Sequence, residues 1–206
     1  MLDTLQDLTD SVNFVLTQFG CPVRTQDEVR RFVGNGAFRL IELSLPGKAD
    51  DPDPNAVLLN FQQHYRINCQ NKTCPYEGIL QVLELLGSDY PMAIVSNKPD
   101  GAVKKLCQMY FPGVYALGEL PGCPRKPAPD MLWKAMRDIG VDRCVYVGDS
   151  EVDVRTAKNA GVPSLSVTWG FRQESQLLDA GAARLCHDPR ELPRVLQAII
   201  KETEEL

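Results

Sequence analysis

Hydrophobic positions in the first third of the chain repeat with the spacing of an α-helix. Between Leu2 and Phe19 they recur every three or four residues, and Gly20 follows as a stop. Three further helices are expected before about residue 70, where no convincing strand pattern occurs. The four predicted helices cover residues 2–19, 25–33, 38–45 and 57–65. This part of the chain is therefore predicted to be a compact all-helical unit.

The pattern changes at Cys74-Pro75-Tyr76-Glu77-Gly78, after which short apolar runs alternate with amphipathic helices. The predicted strands cover residues 92–95, 144–147, 163–168 and 183–186; the predicted helices cover 78–87, 99–110, 128–139, 151–160, 173–181 and 190–203. This alternation is typical of a doubly wound parallel sheet with helices on both faces, which is an α/β fold. We expect a small four-helix cap over residues 3–74, and an α/β core over residues 75–206 together with residues 1–2.

Composition and charge narrow the classes of function. The chain has 206 residues, of which 44% are hydrophobic and 24% charged, so it belongs to the globular range. Its 22 Lys and Arg against 27 Asp and Glu give a net charge of −5 without a basic stripe, which disfavours a nucleic-acid partner. Because no apolar run approaches the roughly 18 residues of a membrane span, no membrane role is expected either.

The N-terminal segment and the cysteines favour a cytoplasmic protein. Residues 1–20 contain three aspartates and no Lys or Arg, the reverse of a secretory signal. The seven cysteines are scattered and odd in number, so they are expected to be reduced thiols.

Three motifs are expected to place polar side chains at the edge where ligands bind in doubly wound sheets, beyond the carboxyl ends of the strands. Ser96 and Asn97 precede a helix whose free N–H groups suit an anion such as phosphate. Lys126, in a proline-rich loop, offers a point charge to phosphate. Each has a plainer alternative, because Ser96 and Asn97 also suit a helix cap and Lys126 a solvated loop. Taken singly, these two motifs favour the plainer alternative.

Asp149 and Asp153 form the most informative motif. Asp149 comes directly after a strand and Asp153 lies one helical turn further on. Such paired carboxylates suit Mg²⁺, a hard cation that prefers oxygen ligands. Although acidic residues also stabilise a helix N-terminus, the position of Asp149 at the end of a buried strand favours a metal site.

Together these motifs resemble the haloacid dehalogenase-like phosphatase superfamily, and most closely its phosphoglycolate phosphatases, over essentially the whole chain. The matching motifs are Leu2-Asp3-Thr4, Val33-Gly34-Asn35-Gly36, Pro75-Tyr76-Glu77-Gly78, Ile94-Val95-Ser96-Asn97-Lys98, Arg125-Lys126-Pro127 and Tyr146-Val147-Gly148-Asp149-Ser150-Glu151-Val152-Asp153.

The resemblance implies a role for each matching residue. Ser96 would donate a hydrogen bond to a phosphoryl oxygen with Asn97 beside it, and Lys126 would neutralise charge on the phosphate and the attacking carboxylate. The expected catalytic residues are Ser96 and Lys126. The expected phosphate-binding residues are the same two together with Asn97.

The acidic motif and the cap loop receive roles in the same way. Asp149 would bind Mg²⁺, and Glu151 and Asp153 would support the metal or orient the lysine. The loop Gly34-Asn35-Gly36 would face the substrate, although it also fits a plain turn between helices.

One departure from the family pattern concerns the nucleophile. Family members begin with a strand ending in Asp-x-Asp-Gly-Thr, whose first Asp attacks phosphorus and whose second is the general acid and base. This chain starts at Met1-Leu2-Asp3-Thr4, just downstream of that motif, and Asp3 matches the Asp that follows it. We therefore expect the first core strand to be absent. Because paired strands lie about 4.8 Å apart, this would leave a gap of roughly 10 Å between the strands ending at Ser96 and Asp149.

The resemblance thus implies Mg²⁺-dependent hydrolysis of a small phosphate monoester, phosphoglycolate phosphatase-like, through an aspartyl-phosphate whose nucleophile is not in this chain. Two alternatives remain open. One is a truncated, inactive relative that only binds phosphate. The other is a related phosphatase of pyrophosphate, a nucleotide or a sugar phosphate. The expected partner is a small phosphorylated metabolite, and nothing indicates the oligomeric state.

Overall fold

The computed structural model describes residues 1–204, with helices alone in most of the first third and alternating strands and helices thereafter. The strands are β1 Leu2–Asp3, β2 Cys74–Pro75, β3 Ala93–Pro99, β4 Tyr115–Glu119, β5 Tyr146–Gly148, β6 Ser164–Val167 and β7 Leu185–Cys186. The helices are α1 Leu5–Gln18, α2 Gln26–Phe32, α3 Gly36–Ser44, α4 Pro54–Asn68, α5 Ile79–Gly87, α6 Asp100–Tyr110, α7 Asp130–Ile139, α8 Glu151–Ala160, α9 Glu174–Asp179 and α10 Leu192–Glu204. All the predicted helices are confirmed, with small shifts at their ends.

Helices α1–α4 share one hydrophobic core. Leu8, Val12 and Val15 lie on one stripe of α1 and are almost completely buried. They belong to the same cluster as Phe61 and Tyr65 of α4, and this cluster extends to Ala102 and Leu106 of α6. The helical unit is therefore packed onto the α/β part rather than separated from it.

The chain crosses between the two parts twice, and the two crossings are paired. Strands β1 and β2 form a short antiparallel ladder in which Leu2 faces Pro75 and Asp3 faces Cys74. The buried Asp7 carboxylate strengthens this junction by accepting hydrogen bonds from the backbone N–H groups of residues 72 and 73. The division into domains at residue 74 stays a prediction, and residues 205–206 of the expected second domain lie outside the described residues.

Strand β4 was not predicted from the sequence, because a glycine interrupts its apolar pattern. Gly118 lies where β4 passes the start of α6: a Cβ atom there would stand 2.3 Å from the Asp100 Cα. Strand β4 therefore needs a residue without a side chain at this point. It pairs in parallel with β3, and β6 pairs in parallel with β5 and β7. The predicted α/β class with parallel strands is confirmed.

The parallel strands do not form one sheet. Within residues 1–204, β3 pairs only with β4, and β5 pairs only with β6. Val147 of β5 is 40% exposed, which is unusual for an apolar residue near the middle of an α/β sheet. The separation lies between the two strands where the family pattern leads us to expect an absent strand.

In the part of the chain that the structure describes, no helix has both the length and the apolar character required to cross a membrane.

Candidate active site

A cavity of about 130 Å³ lies between the helical unit and the carboxyl ends of β3 and β5. Since a water molecule takes about 30 Å³ of liquid volume, this space corresponds to roughly four waters and suits a small metabolite. The helical unit contributes mainly apolar lining and the α/β part contributes polar and charged lining. The lining includes Gly34, Gly36, Leu40, Phe61, Tyr65, Ser96, Asn97, Lys98, Lys126, Asp149, Asp153 and Arg172.

Lys126 joins the two sheets at the floor of the cavity. Its Nζ donates to the Asp153 carboxylate at 2.7 Å, to the Tyr146 hydroxyl at 3.0 Å and to the Val95 carbonyl at 3.1 Å. Val95 belongs to β3 and Tyr146 to β5. The three donors of this ammonium are therefore all used, and one side chain links the edges that no strand connects.

The Lys126–Asp153 pair is buried, and each partner fixes the charge of the other. Their side chains are 11% and 10% exposed. Burial opposes the charged form of Lys126, but Asp153 outweighs it and holds the pKa of the ammonium above its usual value. Burial likewise opposes the charged form of Asp153, but Lys126 holds the pKa of that carboxyl below its usual range. Both groups are therefore charged at neutral pH. Asp153 therefore contacts Lys126 directly, and its role in orienting this lysine for a substrate stays a prediction.

Asn97 holds the Lys126 loop and the helical unit in register. Its side-chain amide donates to the Gly34 carbonyl at 3.0 Å and to the Lys126 carbonyl at 2.9 Å, while its Oδ1 accepts from the Lys126 backbone N–H at 2.9 Å. Both amide N–H groups are therefore already used. The predicted phosphate contact of Asn97 stays a prediction, and it would have to come from the backbone of this residue.

Ser96 and Lys98 line the cavity from β3. The Ser96 hydroxyl oxygen accepts only the backbone N–H of Lys98 among the described residues, at 3.2 Å, so its own hydrogen is available to a ligand. The Lys98 ammonium lies 5.7 Å from the centre of the Tyr65 ring of α4. Burial lowers the pKa of Lys98 to about 8, against the attraction of the Asp149 charge.

Asp149 stands at the end of β5 and is held by the turn after β6. Its Oδ2 accepts the backbone N–H of Phe171 at 3.0 Å. A Cβ atom on Gly170 would come within 2.0 Å of the same oxygen, so the absence of a side chain there makes room for the carboxylate. Burial, and then the nearby Asp153 charge, raises the pKa of Asp149. No Lys or Arg in residues 1–204 forms an ion pair with Asp149.

Glu151 does not contact Lys126, contrary to one of the two roles expected for it. It pairs instead with Arg172, whose Nε lies 2.7 Å from the carboxylate. The Arg172 guanidinium also donates to the carbonyls of Arg30 and Val33, at the end of α2. Glu151 therefore anchors the helical unit to α8 through a nearly buried arginine.

The predicted cap loop is brought to the cavity only in part. Gly34 and Gly36 line it, both with positive φ angles of 129° and 85°. The intervening Asn35 is exposed and lies outside the lining. The φ angle of Gly36 lies in a region that residues with a side chain rarely adopt, so the loop conformation itself favours glycine at this position.

Mg²⁺ suits the donors present in the cavity. Within residues 1–204, no three carboxylate, histidine or cysteine side chains gather as a complete metal site. Mg²⁺ is nevertheless commonly held by one or two carboxylates together with waters and substrate phosphate. Asp149 meets this requirement because no cation of residues 1–204 forms an ion pair with it; the Met1 ammonium and Lys126 attract its charge only from beyond ion-pair distance. Asp153 does not, because Lys126 and Ser150 already occupy its oxygens.

Comparison with known proteins identifies the family. The family model of haloacid dehalogenase-like hydrolases matches residues 1–167, well over half of the chain. The chain belongs to the haloacid dehalogenase-like hydrolase family. The predicted membership is thereby confirmed, and a hydrolase of phosphoric monoesters is the class that its relatives support.

Relatives of this family cover nearly the whole chain. A phosphoglycolate phosphatase of Rhodobacter capsulatus is 32% identical over 208 residues, covering 96% of this chain and 92% of its own. A provisionally named phosphoglycolate phosphatase of Lactobacillus delbrueckii subsp. bulgaricus has a solved structure with a TM-score of 0.83 and 35% identity, covering 93% and 91% of the two chains. A haloacid dehalogenase-like hydrolase of Streptococcus pneumoniae shares the fold, with a TM-score of 0.84 at 19% identity over 95% and 93% of the two chains.

A fourth strand end contributes to the site and was not predicted. The candidates came from the residues after the predicted strands 92–95 and 144–147 and from the proline-rich loop, although the same edge rule applies to the residues after 163–168. Gly170 and Arg172 follow this strand, now β6, and reach Asp149 and Glu151 respectively. Lys98 belongs to one of the matching motifs, but no role was predicted for it.

Proposed function

We propose that the cavity is the active site of a Mg²⁺-dependent phosphatase whose substrate is a small phosphate monoester such as 2-phosphoglycolate. The observation that carries this proposal is the convergence of a free hydroxyl, an ammonium and an unpaired carboxylate, from Ser96, Lys126 and Asp149, in one small cavity of the described chain. The two relatives that are named phosphoglycolate phosphatases point to the same substrate. The cavity volume of about 130 Å³ favours a small ester over a nucleotide.

Two residues would stabilise the phosphoryl group. The Ser96 hydroxyl would donate to one phosphoryl oxygen. The Lys126 ammonium would turn one donor from the Val95 carbonyl, its longest contact, to another oxygen and so offset negative charge as the reaction proceeds. Asp153 and Tyr146 would keep the ammonium in place throughout.

Asp149 would hold Mg²⁺ together with the substrate phosphate and waters. When bound, the ion would supply further positive charge to the phosphoryl oxygens.

The attacking carboxylate would come from a further strand, outside the 206 residues, that pairs between β3 and β5. The support for this part is the separation of the two sheets and the pairing of the Asp153 carboxylate with Lys126. This carboxylate would form a bond to phosphorus while the bond from phosphorus to the ester oxygen breaks, and the leaving oxygen would take a proton from the second Asp of the same Asp-x-Asp motif. Water would then give a proton to that Asp, attack phosphorus, break the acyl-phosphate bond, release inorganic phosphate and restore the attacking carboxylate.

A second candidate function is phosphate binding without turnover. It is favoured because, within residues 1–204, no cavity carboxylate is available to attack phosphorus. Asp153 pairs with Lys126, and the proposal assigns Asp149 to Mg²⁺. Phosphatases of pyrophosphate, a nucleotide or a sugar phosphate remain alternatives for the substrate. The cytoplasmic location stays a prediction.

The test compares two proteins, each with 2-phosphoglycolate and Mg²⁺: the 206-residue chain, and the same chain preceded by a strand that ends in Asp-x-Asp-Gly-Thr. Both should bind inorganic phosphate, and only the second should release it from the ester. Lys126→Met in the second protein should abolish release. Equal turnover by the two proteins would contradict the need for a nucleophile from the added strand. Failure of both to bind phosphate would contradict the assignment of the cavity as a phosphate site.

A further inference from the structure

Lys98 is an unusual cation in this molecule. It is largely shielded from solvent, it lines the cavity, and within residues 1–204 its ammonium makes neither a hydrogen bond nor an ion pair. The ammonium lies over the face of the Tyr65 ring, 5.7 Å from the ring centre. The other lysine on the cavity wall, Lys126, uses all three of its donors.

An ammonium in this position favours an anionic ligand. Removing a charge from water is costly unless an opposite charge or hydrogen-bond acceptors replace the water. The Tyr65 ring compensates for only part of this cost, since a cation–π contact contributes modestly. Burial lowers the pKa of Lys98 to about 8, as expected for an ammonium that lacks a close counter-ion. An anion bound in the cavity would supply the missing partner.

The position of Lys98 places this anion next to the phosphoryl site, on the side of the helical unit. Ser96 and Lys98 are two residues apart on β3, and both line the cavity. The Lys98 ammonium lies over the Tyr65 ring of α4, whereas the Lys126 ammonium is bonded to Tyr146 and Asp153 of the α/β part. The apolar part of the lining includes Leu40 and Phe61, which would help to shield a charge pair in the cavity from water.

We propose that Lys98 binds a second anionic group of the substrate, a carboxylate on the carbon chain of the phosphate ester, and so selects phosphorylated hydroxy acids over neutral esters. This inference rests on the proposed function and names a specificity residue within it. A carboxylate suits the site because a single ammonium offers one compact positive charge, and because the small cavity leaves little room for a second phosphate.

Calorimetric titration tests the inference without requiring turnover. The 206-residue chain is titrated with 2-phosphoglycolate and with ethyl phosphate, which lacks the carboxylate, in the presence of Mg²⁺. We expect 2-phosphoglycolate to bind about tenfold or more tightly than ethyl phosphate. In Lys98→Met the preference should disappear through weaker binding of 2-phosphoglycolate, with the dissociation constant of ethyl phosphate unchanged. Lys98→Gln serves as a second variant if the first does not fold.

A control variant separates this contact from a general effect of charge. Lys134→Met removes the same charge from an exposed site and should retain the preference. A preference retained in Lys98→Met, or an equal weakening of both esters, would overturn the inference while leaving the phosphate site intact. No binding of either ester to the unmodified chain would overturn the inference together with the proposed function.

Discussion

Two lysines reach the same cavity and have opposite surroundings. Lys126 is surrounded by acceptors from β3, β5 and α8, which hold it charged and fixed in place. Lys98 has an aromatic face beside it and no close acceptor in the described chain. The difference between them shows that burial alone does not define a functional cation. One lysine is held by the framework and would offer the phosphoryl group one of its three donors, and the other is left without a partner in residues 1–204, for a ligand to supply.

The largest expected effect comes from breaking the framework pair. Lys126→Met leaves the Asp153 carboxylate buried without its cation, so the free energy of unfolding should fall by about 3–5 kcal/mol. The exposed pair of Lys134 and Asp138 has a similar distance of 2.9 Å. Because water screens it, Lys134→Met should cost less than about 1 kcal/mol. Urea unfolding of both variants measures the difference, and equal losses would contradict the assignment of Lys126 to the framework.

Much of this site could be predicted from local sequence, because several of its residues lie in or directly after a strand or in a proline-rich loop. Ser96, Lys126 and Asp149 were found in this way. The bridge that Asn97 forms between the Lys126 loop and Gly34 could not be predicted, because its side-chain partners lie 29 and 63 residues away. That the Lys98 ammonium lacks a partner in the described chain could not be predicted for a related reason. Its surroundings depend on where α4 packs, which no local sequence pattern specifies.

Gly170 offers a second way to test the framework. A methyl group there would stand 2.0 Å from the Asp149 carboxylate, so Gly170→Ala must displace that side chain or the turn. Overpacking of this kind costs about 1–3 kcal/mol. At Gly101, near the start of α6, the space that a Cβ atom would occupy has no neighbouring atom within 4 Å. Gly101→Ala should therefore leave stability unchanged or raise it slightly. If thermal unfolding gave the two variants the same stability, the close packing described around Asp149 would be contradicted.

Metal dependence tests the carboxylate that has no cationic partner in the described chain. At a Mg²⁺ concentration ten times its dissociation constant, the folded chain should gain about 1.4 kcal/mol in unfolding free energy. Asp149→Asn should lose most of this gain because the charged ligand is removed. Glu151→Gln should retain the gain, since Glu151 pairs with Arg172 instead. Unfolding with and without Mg²⁺ provides the comparison, and an equal gain in both variants would remove Asp149 from the metal site.

The smallest effect concerns the charge of Lys98. Its lowered pKa of about 8 means that the ammonium is lost as pH rises through that value. If the neutral amine contributes nothing, the preference for 2-phosphoglycolate over ethyl phosphate should fall about fourfold between pH 7 and pH 8.5. The other charged groups near Lys98 are Asp149 and Lys126, and the buried Cys69 thiol has a raised pKa. Titration of these groups would affect the binding of the phosphoryl group in both esters alike, so it cancels in the ratio of the two dissociation constants. A ratio that does not change with pH would argue against the Lys98 contact.

A crystal structure of the 206-residue chain with 2-phosphoglycolate and Mg²⁺ would locate all three proposed contacts at once. We expect the phosphoryl group against Ser96 and Lys126, the ion beside Asp149 and the carboxylate against Lys98. A ligand bound in the reverse direction, or outside this cavity, would contradict the assignment of the two lysines to separate roles.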